Sequence, residues 1–85
     1  PWYQGYKIEA KEKQAVNNLQ SIKLSQSQYF RDHDNYFPCP GTDIDTTKID
    51  EQFFGGNGDL NQGAYEYKIT GGCGSYNILA TPKSS

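Results

Sequence analysis

Few residues in this chain have the type and spacing that chemistry requires. Its single histidine, His33, lies between Asp32 and Asp34, a grouping able to move a proton or hold a metal. The three fall at the end of a helical pattern, where a cationic imidazole simply complements the helix dipole. We therefore read His33 as a helix-end residue. No Ser/His/Asp or Cys/His set can be assembled, because nothing else resembles an activated nucleophile. The expectation is a protein that is not an enzyme, with no catalytic residue, no cofactor and no small-molecule substrate. Asn57, Asp59 and Asn61 alternate within GGNGDLNQG and offer oxygen atoms in the manner of a calcium loop. The run lacks the bidentate Glu, and its glycine falls at the wrong place. A glycine-rich turn is expected there, with no metal ligand assigned.

Two cysteines, Cys39 and Cys73, stand isolated in the sequence. A zinc site needs four ligands, whereas a short, core-poor chain in an oxidising compartment gains from a disulfide. The pairing Cys39–Cys73 is the expectation. The competing reading is two free thiols acting as small apolar residues in a reduced compartment.

Charge decides how nucleic acid is weighed. Through Asn35 the chain carries five basic residues against four acidic, and the remainder carries three against six. Counterion release, which dominates nonspecific DNA binding, needs a basic surplus that the whole chain lacks. Lys7, Lys11 and Lys13, with Tyr3 and Tyr6 beside them, still form a candidate DNA-contact strip.

These residues must be positioned by a small scaffold. The chain has 85 residues, is 34% hydrophobic and carries a net charge of -2, which excludes a multidomain enzyme and leaves little for a core. Aromatics reach 14%, including seven tyrosines, whose rings can be buried while the hydroxyl stays wet. No apolar run approaches the roughly 20 residues that span a bilayer. The aromatic-rich opening of Pro1, Trp2, Tyr3 and Tyr6, without an initiator Met, reads as the cut end of something longer.

Residues 2–35 hold one glycine, Gly5, and no proline, with helix formers throughout, so the reading is one long helix. Ala15, Leu19, Ile22, Gln26, Tyr29 and His33 recur at steps of three and four, and Val16 and Phe30 widen the stripe. Leu19, Ile22, Tyr29 and Phe30 are the expected core face. The first half lacks such a stripe and should project from the globular part. Asn35 suits a left-handed cap, and Pro38 and Pro40 forbid continuation. A loop over 36–63 follows, with one helical turn at Thr47 to Phe54 capped by Thr47. In the hairpin over 64–82, Tyr65, Tyr67 and Ile69 alternate with Glu66, Lys68 and Thr70, and Tyr76, Ile78 and Ala80 with Asn77, Leu79 and Thr81. The expected fold is one α+β domain spanning 1–85, a long N-terminal helix packed on a small antiparallel sheet.

The stretch PWYQGYKIEAKEKQAVNNLQSIKLSQSQYFRDHDNYF resembles the helix of type IV pilins after their apolar N-terminal segment, and YNILATPK is similar to the family's closing strand. The resemblance covers Pro1 to Phe37 and Tyr65 to Lys83. It places Pro1 at the family's helix kink, and it implies an apolar helix upstream that anchors the subunit in the inner membrane before assembly. It further implies a structural subunit, minor by its size, of an extracellular pilus of a Gram-negative bacterium. Other pilin subunits in a helical fibre would be the partners. Exposed loops would serve adhesion, twitching motility or DNA uptake, with a surface or DNA as ligand. A second reading is a pseudopilin of a type II secretion system, and a third is a pilin specialised for DNA binding or electron transfer. In this chain Cys39 lies directly after the helix, whereas the family's disulfide usually brackets a C-terminal loop.

Overall fold

With neither glycine nor proline between residues 13 and 33, the chain forms a 21-residue helix, α1 (Lys13–His33), in a computed structural model that describes residues 2–3, 6–8 and 13–83. Ala15, Leu19, Ile22 and Gln26 are its buried residues, which is the stripe that the three-and-four spacing dictates. The remaining elements are a short helix α2 (Thr46–Phe53), a 3-10 turn (Asp59–Gln62), and strands β1 (Trp2–Tyr3), β2 (Tyr6–Ile8), β3 (Tyr65–Gly72) and β4 (Ser75–Pro82). The sheet order is β1-β2-β4-β3, and the arrangement is α+β.

The helix expected over 2–35 is therefore shorter. Trp2–Tyr3 and Tyr6–Ile8 are strands, and β2 pairs in parallel with Ile78 to Ala80 of β4. A polar helix there would bury no apolar face, whereas the aromatic and β-branched residues favour a strand and the edge of β4 offers main-chain partners. The sheet is mixed for the same reason. Pro1 lies outside the described residues. The helix ends at Asp34, not Asn35: Asp34 takes the left-handed conformation with φ 62°, which a short polar side chain tolerates. Asn35 instead donates its amide to the His33 carbonyl at 3.0 Å.

β3 and β4 form an antiparallel hairpin closed by Cys73-Gly74, with Gly72 opposite Ser75. Tyr67, Ile69, Ile78 and Ala80 are buried, Glu66 and Lys68 are exposed, and Thr70 is half-buried. These join Ala15, Leu19 and Ile22 with Ile44, Ile49 and Leu60 in one core. A fully buried Leu or Ile stabilises by about 1.5–3 kcal/mol. Across it the Asn18 amide donates to the Tyr67 hydroxyl at 2.9 Å. Phe30, expected on the core face, is 37% exposed. It stands in the last turn of α1, where its neighbour is the Tyr36 ring at 4.7 Å and not the sheet. Tyr29 is half-buried, and its ring meets Phe37 at 5.6 Å and Phe53 at 6.4 Å.

The free edge of β3 is covered by the segment after α1. Thr42 donates to the Gly71 carbonyl, Ile44 exchanges both main-chain bonds with Ile69, and the Thr46 hydroxyl donates to the Tyr67 carbonyl while accepting from its N–H. Because Thr46 is used this way, α2 is capped by Asp45, whose carboxylate accepts from Lys48 N at 3.1 Å, in place of the expected Thr47.

Leu19→Ala is expected to lower stability by about 2–5 kcal/mol, since the site is fully buried, measured by urea denaturation. Gln26→Leu keeps the volume but strands the main chain of Phe37, and should cost about 2–4 kcal/mol in the same assay.

Candidate nucleic-acid interface

Lys23 and Ser27 lie four residues apart on α1 and so share one face of the helix; the Ser27 hydroxyl donates to the Lys23 carbonyl at 3.2 Å. Arg31, one turn further and exposed, continues that line. Opposite stand Gly74, Ser75, Tyr76 and Asn77 from the hairpin, and Tyr36 from the segment after α1. With Lys23 and Ser27 they line a cleft of about 430 Å³, and Arg31 lies beyond that lining. Tyr36 sits 4.8 Å from Tyr76, ring to ring, so Phe30, Tyr36 and Tyr76 form a continuous aromatic row.

The cleft exists because the chain is tied here. Tyr36 and Cys73 exchange main-chain bonds of 2.7 and 2.9 Å, and Cys39 and Cys73 are joined with Cα atoms 4.8 Å apart. Cys73 has φ 66° and opens a two-residue turn at a position where glycine is usual. Gly72 must be glycine: at φ 126°, a Cβ would lie 1.8 Å from the Pro38 carbonyl oxygen.

Electrostatics separates this cleft from the rest of the surface. Among the described residues lining it there is no carboxylate. α1 carries Lys13, Lys23 and Arg31 against Asp32 alone, while residues 43–66 carry six carboxylates against Lys48 alone. Two other clefts mix charges, Asp45 and Glu66 with Lys83 in one and Asp43 and Asp45 with Lys48 and Lys68 in the other. The ion pair of Lys68 with Asp43 at 3.5 Å is solvent-exposed and contributes little.

Of the strip Lys7, Lys11 and Lys13, Lys11 lies outside the described residues, Lys7 is placed only as main chain of β2, and Lys13 is exposed at the start of α1. The structure does not show the three together. His33 is exposed, stacked on Tyr29 at 4.0 Å, with Nδ1 donating to the Tyr29 carbonyl. Asn57, Asp59 and Asn61 belong to a loop organised from elsewhere. The buried Asp50 carboxylate accepts from Gly58 N and Leu60 N, each at 2.9 Å, and the Asn61 amide donates to Thr47. No group of three His, Cys, Asp or Glu among the described residues is placed to hold a metal. The cleft itself was missed in the sequence. Its only local signal is the acid-free spacing of Lys23, Ser27 and Arg31.

A family model described as the type IV minor pilin ComP, DNA uptake sequence receptor, matches residues 1–85. The chain belongs to that family. Comparison with curated proteins and with solved structures gives no match. Membership makes this a type IV minor pilin, a subunit that assembles with other pilins in an extracellular pilus, and favours that reading over a secretion pseudopilin.

In this minor pilin the disulfide closes a loop of 34 residues in sequence, and chain entropy puts its contribution at about 4 kcal/mol. Thiol titration of the unfolded, unreduced protein should find no reactive thiol. Reduction should lower the melting temperature and loosen Tyr36 and the 41–63 loop before α1.

Proposed function

We propose that this minor pilin is the DNA-capturing subunit of its pilus, and that duplex DNA binds along the cleft between α1 and the tip of the β3–β4 hairpin. The observation that carries the reading is a wall of Lys23 and Ser27 facing Tyr36 and Tyr76 across a cleft with no carboxylate among its described lining residues, on the one helix with a local basic surplus. The family's description as a DNA uptake sequence receptor supports it. In this reading Lys23 and Arg31 neutralise phosphates, and the rings at the hairpin tip face the bases. In this reading an upstream apolar helix holds the subunit in the inner membrane of a Gram-negative cell before assembly. Once assembled, the hairpin and loops form the outer surface of the fibre. Adhesion and twitching motility would belong to the fibre as a whole. The electron-transfer alternative has less support, because packing already accounts for the rings of Tyr29, Phe37 and Phe53 in one group and Phe30, Tyr36 and Tyr76 in another.

Duplex binding measured by mobility shift across salt concentrations tests this. Lys23→Ala and Arg31→Ala should each weaken binding to all sequences alike and reduce the slope of log K against log salt by about 1. Lys48→Ala, on the acidic side, should change neither. Equal effects from Lys48→Ala and Lys23→Ala would move DNA away from this cleft.

A further inference from the structure

We infer that Gln26 is a positioning residue for DNA capture, holding the two walls of the cleft at a fixed spacing through the main chain of Tyr36 and Phe37; the inference rests on the DNA-capture reading above. One wall is α1, with Lys23 and Ser27, and the other is the hairpin tip around Tyr76. The dipeptide Tyr36-Phe37 bridges them. On the hairpin side Tyr36 exchanges both main-chain bonds with Cys73, at 2.7 and 2.9 Å. On the helix side the Gln26 amide donates to the Phe37 carbonyl at 2.6 Å and accepts from the Phe37 N–H at 2.9 Å.

An extended dipeptide turns its successive N–H and C=O pairs to opposite sides, and its successive side chains to opposite faces. The ring contacts agree. Tyr36 packs between Phe30 at 4.7 Å and Tyr76 at 4.8 Å, whereas Phe37 meets Tyr29 at 5.6 Å and Phe53 at 5.7 Å. With both edges tied, the Tyr36 ring has one place to lie. Without Gln26, the Tyr36–Cys73 pair and the Cys39–Cys73 disulfide converge on one residue, about which the segment can turn. Gln26 has no exposed surface, so it acts on DNA through Tyr36 and not by contact. A binding site must be held within about 0.5 Å of its productive geometry by side chains that are themselves locked, and a buried amide with both bonds made meets that condition.

Gln26→Met keeps the length of the side chain and removes both bonds. Duplex affinity of the full chain is measured by mobility shift, with circular dichroism giving the folded fraction and stoichiometric titration the active fraction. Corrected for both, Gln26→Met should weaken binding about 5- to 20-fold, within the range of coupling inside one network. In a Tyr36→Ala background the same change should cost less than about twofold, whereas beside Arg31→Ala it should keep its full effect. If folded Gln26→Met binds as wild type does, or its effect adds fully to that of Tyr36→Ala, Gln26 serves stability alone and the inference fails while DNA capture stands. If wild type binds no duplex at any salt, the capture reading falls and the inference with it. Gln26→Glu decides the matter should Gln26→Met not fold. A neutral carboxyl donates and accepts as the amide does, a carboxylate only accepts, and burial pushes the pKa of such a carboxyl up. Its affinity relative to wild type at the same pH should be within about twofold at about pH 5 and fall about 5- to 20-fold by about pH 8. A flat ratio, or a fall matched by loss of the helical signal, overturns the inference.

Discussion

Gln26 is a polar side chain at a position where α1 should present only hydrocarbon, and it has no exposed surface. Its amide donates to the Phe37 carbonyl at 2.6 Å and accepts from the Phe37 N–H at 2.9 Å. One side chain thus satisfies a whole peptide unit's worth of main chain as a neighbouring strand would. Burial raises the stakes of both bonds, since either group left unpaired there costs about 1–3 kcal/mol. The direction of the chain after the helix follows. Phe37 held at Gln26 puts Tyr36 beside Cys73 and Cys39 within bonding distance of it. From there residues 42–46 run along β3, closing an edge that would otherwise invite pairing with another chain.

Asp50 plays the corresponding part for the second half of the loop. It is 2% exposed, and its carboxylate receives Gly58 N and Leu60 N while its carbonyl receives Phe54 N and Gly56 N. Leu60 is thereby pulled into the core. With an apolar fraction of 34%, hydrophobic burial alone cannot order a loop rich in glycine, and fully partnered polar hubs do it instead. No buried side-chain nitrogen or oxygen among the described residues lacks a partner.

The parts of this fold legible in the sequence are those with a short period. The stripe through Leu19 and Ile22 and the alternation Tyr67, Ile69 and then Ile78, Ala80 are local patterns, and both lead to the buried face. The Cys39–Cys73 pairing was readable because composition and length left few uses for two cysteines. What stayed hidden depends on distant partners. Gln26 falls on the stripe, but what its polar end does there shows only when Phe37 is placed beside it, and Asp50 looks like an ordinary surface residue until Leu60 is. Thr46 could not be told from Thr47 as a cap because its hydroxyl is claimed by Tyr67, 21 residues on. Phe30 sits at the margin of the stripe, where spacing does not separate core from rim. The cleft joins Lys23 to Asn77, and no sequence window contains both.

The weakness of the cleft's field shapes what it can do. A net charge of -2 matters less than the local set, because at physiological salt charges more than about 8 Å apart are largely screened. On the proposed DNA-capture reading, Lys23 and Arg31 would neutralise few phosphates, and nonspecific affinity scales with that number. A strongly basic pilin would hold any DNA and be saturated by random sequence, since nonspecific sites vastly outnumber specific ones. A sparse basic line would reverse that balance. Phosphate contacts would then be just sufficient to bring a duplex into register, and retention would depend on contacts to the bases. On that reading, selectivity would come from having little charge, and the six carboxylates over 43–66, against Lys48 and the other nearby lysines, would not offer DNA a second basic line.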